Sequence, residues 1–178
     1  LGISACIILV QKKYKRLFAY SSIEHMGILA LGFGFGGAGT LAAVLHMIYH
    51  SLAKSLLFFS AGNIFLKYGK SKIANVKGLF STLPVTAVFL CIGFLAITGM
   101  PPFGLFLTEF TILGVGIREH IVVTILMLIF LSLIFVGFLR HVVSMVFGGP
   151  SDSISKGEAG LLTLVPPALI ACLLAVLS

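Results

Sequence analysis

Residues 45–63, LHMIYHSLAKSLLFFSAGN, are almost wholly apolar yet carry three groups that can hold a proton. In a lipid environment the backbone must satisfy its own N–H and C=O groups, so an apolar run of this length folds as a helix. His46, His50 and Lys54 recur every fourth residue and therefore stack along one helical face, about 6 Å apart per step. A lysine near the bilayer centre costs about 2.5 to 3.5 kcal/mol, and ionisable groups kept there usually face a polar interior on an ion or proton path. A blander reading stands beside this one: the histidines hydrogen-bond a neighbouring helix and Lys54 snorkels to an interface. A two-histidine zinc site would need a third ligand, and none stands nearby in the sequence.

With 59% hydrophobic and 10% charged residues and a mean hydropathy of +1.18, the chain lies outside the range of soluble domains. It reads as an all-α integral membrane protein, a multispanning helical bundle. The net charge of +7 comes from cations clustered between apolar runs, the pattern of positive-inside topology rather than of a nucleic-acid surface. Cys6, Cys91 and Cys172 lie within apolar runs without metal-ligand spacing and read as small membrane-core residues. The chain opens on Leu1 and ends at Ser178, both in apolar runs. We expect a piece of a longer multispanning protein, forming one transmembrane domain over 1–178.

Residues 1–10 read as a partial span. The basic loop 11–16, QKKYKR, is expected to be cytoplasmic. Residues 17–39 form the next span, with Glu24 and His25 about one turn inside its start and a glycine-rich end where helices approach or the chain turns. Glu24 is open to two readings, a buried acid and a carboxylate favoured by a helix N-terminus. The His/Lys helix covers 40–66, and a second basic loop, 67–77, falls on the same side as the first.

Residues 82–116 are too long for one straight span and too short for two. At their centre is TGMPPFG, 98–104, where Pro101 and Pro102 remove backbone donors and Gly99 and Gly104 loosen the chain. The pattern predicts a discontinuous transmembrane helix, broken near 98–104, with Glu109 at the site the break creates. The alternative is a re-entrant loop with Glu109 at the surface. A single broken crossing puts Arg118 outside and Arg140 and Lys156 inside, in better accord with the positive-inside rule than a hairpin. Arg118, Glu119 and His120 then form an outer turn, 121–139 a span capped by Arg140 and His141, 148–158 a polar loop, and 161–178 a last span. No nucleotide-binding, nucleophile-elbow, haem or cluster motif is present, so we expect no catalytic centre, cofactor or metal in this chain.

KYKRLFAYSSIEHMG, LHMIYHSLAKSLLFFSAGNI and ITGMPPFGLFLTEFTIL, in this order, resemble signatures of the antiporter-like membrane subunits of respiratory complex I, multisubunit cation/proton antiporters and energy-converting hydrogenases. The SSIEHMG and TGMPPF forms are most similar to the hydrogenase-4 or formate hydrogenlyase branch. The resemblance implies a fragment of the C-terminal half of such a subunit, in the cell inner (plasma) membrane. It implies inverted repeats with broken helices and a line of buried ionisable residues, the acid/lysine pair of the first repeat lying upstream of Leu1. Lys54 matches the central lysine and Glu109 the ionisable residue of the second broken helix, with His46 and His50 as companions and Glu24 and His25 as weaker members of the path. Implied partners are the lipid bilayer, other membrane subunits and, through the complex, soluble iron–sulfur and hydrogenase-type subunits of an oxidoreductase.

On this reading the chain moves protons through a half-channel, with Glu109 exchanging protons with one side and pairing with Lys54, which passes them on. A sodium/proton antiporter subunit is the alternative, and a purely structural scaffold a third.

Overall fold

The computed structural model describes residues 1–149 and 154–177. Residues 150–153 of the expected polar loop, and Ser178, lie outside the described residues. Eight α-helices follow one another: α1 (Gly2–Val10), α2 (Tyr14–Phe35), α3 (Gly37–Tyr68), α4 (Leu79–Thr82), α5 (Pro84–Ile97), α6 (Gly104–Glu119), α7 (Ile121–Phe147) and α8 (Val165–Leu177). Short 3₁₀ turns occupy Ile73–Asn75 and Leu161–Leu164.

Helix α3 is the central post, packing on α2, α5, α6 and α8. Its buried face carries Gly39, Ala42, Ala43, Ala53 and Ala61, small residues that let helices approach without a hydrophobic driving force between them. It approaches α2 closely, where a Cβ on Gly32 would lie 2.9 Å from the Cβ of Ala43. The two helices join through Gly36 and Gly37, whose φ values of 73° and 51° lie in the region that only glycine enters at little cost. The outward faces stay apolar, with Ile3, Val122, Leu126 and Phe110 exposed, as a surface in contact with lipid acyl chains requires. Cys6 and Cys172 belong to that outer surface rather than to the protein core, and Cys91 is intermediate.

The two basic loops meet. Lys13 and Lys72 form an antiparallel bridge, with Ile73 N–H donating to the Lys12 carbonyl at 2.9 Å and Tyr14 N–H to that of Ser71 at 3.2 Å. Arg140 lines a cleft at this end with Lys12, Lys72 and Lys77. Arg118 lies at the other end, in a cleft shared with Gly36 and Gly37. The segregation matches a single broken crossing of α5 and α6. These helices touch each other little, and each packs broadly on α3, as two halves of one interrupted helix do.

Several expected boundaries move. Helix α2 begins at Tyr14, and Glu24 lies nearly three turns inside it, deeper than expected; with 4% exposure it is a buried acid, not an N-terminal carboxylate. Arg118 and Glu119 form the last turn of α6 rather than a turn, which leaves His120 alone as the connector. Helix α7 runs on to Phe147, because Val142, Met145 and Val146 continue a buried stripe past Arg140, and His141 Nε2 donates to the Ile8 carbonyl at 3.1 Å. Pro166 and Pro167 fall in the first turn of α8, where a missing N–H costs no helical bond.

Helix α5 is capped from far along the chain. Glu158 accepts from the N–H groups of Val85 at 2.8 Å and Thr86 at 3.2 Å, and from the Thr86 hydroxyl at 2.6 Å, a carboxylate placed where an N-terminal dipole and free N–H groups favour it.

Two substitutions test this packing. Gly32→Val overpacks the α2/α3 crossing and is expected to cost about 1–3 kcal/mol. Gly62→Ala faces open space and should leave stability unchanged or raise it by up to about 1 kcal/mol through helix propensity. Thermal unfolding of the full-length protein in detergent reads both, and equal midpoints for the two variants would contradict the crossing.

Candidate functional site

The break has a simple covalent origin. In an unbroken helix the carbonyls of Ile97 and Thr98 would accept from the N–H groups of residues 101 and 102, and both positions are proline. Neither can donate, so the helix stops at Ile97 with a carbonyl in need of a partner deep in the protein. His25, fully buried on α2, supplies it: its Nε2 lies 3.0 Å from the Ile97 oxygen. Chain direction is then restored at Gly104, where any Cβ would stand 2.5 Å from the Tyr49 ring of α3.

Around this bond the chain gathers ionisable side chains from three helices. Ser21, Glu24, His25, Ile28 and Gly32 form the stripe of α2 that is turned inward. The expected ladder of His46, His50 and Lys54 is buried on α3, at 0%, 7% and 7% exposure, and Glu109 of α6 is buried at 9%. A surface position for Glu109 is therefore ruled out. His25 Nδ1 lies 2.9 Å from His46 Nε2, and His46 Nδ1 lies 2.9 Å from the Thr108 hydroxyl, which also donates to the Leu105 carbonyl at 2.9 Å. Two carboxylates flank His25, Glu24 at 3.9 Å from Nε2 and Glu109 at 4.0 Å from Nδ1. The His50 ring stacks obliquely beside that of His25 with centroids 4.5 Å apart, and its Nδ1 has no hydrogen-bond partner.

Lys54 does not snorkel. Its ammonium donates to the Phe18 carbonyl and to the Ser21 hydroxyl on α2. The acid that faces it electrostatically is Glu24, one turn beyond Ser21, rather than the expected Glu109. The reason is topological: Lys54 projects toward α2, whereas Glu109 projects into the gap at the break. A partly open cavity of about 30 Å³, lined by Ser21, Glu24, Thr98 and Glu109 among apolar neighbours, lies between the two regions. It has room for water, which needs about 10–15 Å³ and two or more polar partners.

His25, weighed in the sequence as a lesser member, is the hub of this arrangement. Its inward direction was readable from the period of Ser21, Glu24, His25 and Ile28 once α2 starts at Tyr14. Thr108 was missed, since a threonine in an apolar run gives no distinctive signal. His25 is also the third imidazole that a metal would need. The ligand nitrogens of His25, His46 and His50 lie within 4.8 Å of one another, which corrects the expectation that no third ligand is at hand. Nitrogens sharing a tetrahedral zinc at its usual bond lengths are about 3.3 Å apart. The 2.9 Å between His25 and His46 is instead a hydrogen-bond distance.

A bundle built on a broken helix, with buried acids, imidazoles and a lysine at its middle, defines an antiporter-like membrane subunit. The chain belongs to the NADH:quinone oxidoreductase/Mrp antiporter transmembrane family, whose sequence profile matches residues 2–135. It is 48% identical over 112 residues to the hydrogenase-4 component F homolog of Methylacidiphilum infernorum, across 62% of this chain and 24% of that protein. It is 31% identical over 116 residues to formate hydrogenlyase subunit 3 of Escherichia coli, across 58% of this chain and 19% of that protein. Among solved structures, an archaeal membrane-bound sulfane sulfur reductase superposes with a TM-score of 0.88 at 31% identity, covering 98% of this chain and 36% of that one. The chain thus spans about a quarter or less of the curated relatives it matches. Those relatives are named as a component and a subunit, the superposed structure is of a respiratory membrane complex, and this chain is a membrane protein of that fold.

Gly99 sets the position of Glu109. Its φ is +61°, and a Cβ there would overlap the Glu109 carboxylate. Gly99→Ala is expected to cost at least about 1–2 kcal/mol through the left-handed backbone alone, and a thermal midpoint unchanged from wild type would show that the carboxylate does not rest on this residue.

Proposed function

We propose that this chain forms a proton half-channel in a membrane subunit of a redox-driven complex of the hydrogenase or respiratory type. One observation carries the reading: six ionisable side chains from three helices, Glu24, His25, His46, His50, Lys54 and Glu109, are all buried and converge on the break. Burying that many charges is costly and adds nothing to stability that apolar residues would not. Such a cluster is understood as a path along which charge is neutralised and regenerated by proton transfer.

Glu109 opens the path beside the break. The imidazoles of His25, His46 and His50 connect it toward Lys54, and the cavity between Glu109 and Glu24 offers a parallel route through water. Lys54 and Glu24 act as an acid–lysine pair in which occupancy of one by a proton changes the charge felt by the other. Pro101 and Pro102, which have no N–H to donate, interrupt the helical ladder between α5 and α6, and Gly99 and Gly104 allow the turn, so that movement of this segment can alter distances to Glu109.

Further elements of the proposal concern orientation and partners. The paired loops 11–16 and 67–77 face the cytoplasm, in keeping with their cations. Soluble iron–sulfur and hydrogenase-type subunits supply the redox step on this reading, which the relatives' names support only as far as the words hydrogenase and formate hydrogenlyase. A sodium/proton antiporter subunit is the second reading, supported by the description of the matching family, which includes the Mrp antiporter.

Proton uptake into vesicles bearing the intact complex, with electron transfer driven by its soluble partners, tests the main reading. Lys54→Ala and Glu109→Ala should each abolish the gradient while the complex still assembles; gradients equal to wild type in both would leave the cluster structural. Uptake that requires sodium, and persists without electron transfer, would favour the antiporter. For orientation, a cysteine replacing Lys70 should react with an impermeant maleimide only from the cytoplasmic side, and labelling from outside would invert the topology.

A further inference from the structure

We propose that His25 and His46 together hold one proton more than two neutral imidazoles carry, and that the Thr108 hydroxyl is the positioning residue that makes them do so. The inference rests on the proton-path reading only for its purpose; the count behind it comes from hydrogen-bond chemistry alone.

Four contacts run in series from one side of the helix break to the other. They are Ile97 O to His25 Nε2 at 3.0 Å, His25 Nδ1 to His46 Nε2 at 2.9 Å, His46 Nδ1 to Thr108 Oγ1 at 2.9 Å, and Thr108 Oγ1 to Leu105 O at 2.9 Å. Both ends are carbonyls, which accept and never donate. Each of the four bonds therefore needs its own hydrogen from the three groups between them. A neutral imidazole brings one and a hydroxyl brings one, so the neutral series has three hydrogens for four bonds. The fourth is an additional proton. With it, His25 donates from both nitrogens, to Ile97 and to His46. His46 then accepts at Nε2 and donates from Nδ1 to Thr108, whose own hydrogen lies on Leu105.

The extra proton has an acceptor close by. The Nδ1 side of His25, whose hydrogen is shared with His46, faces the Glu109 carboxylate at 4.0 Å. Glu24, at 3.9 Å from Nε2, faces the retained hydrogen and acts on the pair through its charge. When the proton passes to Glu109, the carboxylate becomes a carboxylic acid and three hydrogens remain, on His25 Nε2, His46 Nδ1 and the Thr108 hydroxyl. The 2.9 Å contact between His25 Nδ1 and His46 Nε2 is then left between two acceptor nitrogens with no hydrogen, which favours the proton's return. The remaining groups facing the pair are His50 and Lys54 of α3. Lys54 opposes a cation at the pair, and its ammonium is anchored away on Phe18 and Ser21 of α2. The two acids closest to His25 offset it.

Substitution at Thr108 separates this idea from a packing role. Without the hydroxyl, two bonds remain, Ile97 to His25 and His25 to His46, and two neutral imidazoles fill both. The full-length protein in its complex, labelled with ¹⁵N-histidine and assigned with His25→Gln and His46→Gln, is to be observed by solid-state NMR in membranes at neutral pH. Wild type should give one imidazolium signature from the pair, Thr108→Val none, and Thr108→Ser the wild-type signature. Two neutral imidazoles in wild type, or an imidazolium unchanged in Thr108→Val, would overturn the proposal. Proton uptake by the same complexes reports separately on function. Normal uptake in Lys54→Ala together with the expected Thr108 spectra would remove the half-channel and leave the shared proton standing. Lost uptake in Lys54→Ala with two neutral imidazoles would do the reverse.

Discussion

A helix that stops inside a membrane exposes carbonyls that neither lipid nor the following turn can satisfy, and much of this molecule is arranged to answer that demand. Pro101 and Pro102 create the deficit at Ile97 and Thr98. His25 is fully buried on the adjacent helix because the Ile97 oxygen requires a donor there, and a histidine so placed brings its second nitrogen to His46. The close α2/α3 crossing, made possible by Gly32, Gly39 and Ala43, sets the distance at which these rings meet. Packing, the interrupted helix and the ionisable cluster are thus consequences of one local shortage of N–H groups.

The cluster departs from a simple lysine–glutamate pair. Lys54 is tied to α2 and faces Glu24, whereas Glu109 rests against Gly99 at the break, so the two acids serve different neighbours. His25 lies within about one charge-pair distance of both, which makes it the point where their influences are compared. An arrangement of this kind puts one acid beside each nitrogen of a single imidazole. In a medium of low dielectric that placement matters, since moving a single charge by a few ångströms alters the energy of every neighbour.

Much of this was readable in the sequence. Apolar runs between basic clusters gave the all-α membrane fold, and the two prolines gave the break, because both rest on short-range rules that lipid enforces strictly. The i, i+4 spacing placed His46, His50 and Lys54 on one buried face. What escaped was long-range. The partner of Lys54 depends on which way α2 faces, and the local sequence around Glu24 does not say whether its carboxylate is buried. Glu158 reaches back 73 residues to cap Val85, a contact with no local signature. Thr108 was invisible for a different reason: its importance lies in one hydrogen and the two acceptors that compete for it.

The bridge between Lys13 and Lys72 has a mechanical meaning. Helices α2 and α3 are joined at one end by Gly36 and Gly37 and clasped at the other by backbone hydrogen bonds between the basic loops. A pair of rods fastened at both ends resists sliding and behaves as a rigid frame. That frame carries five of the six ionisable groups, Glu24 and His25 on α2 and His46, His50 and Lys54 on α3. Glu109, the sixth, is carried by α6, outside it.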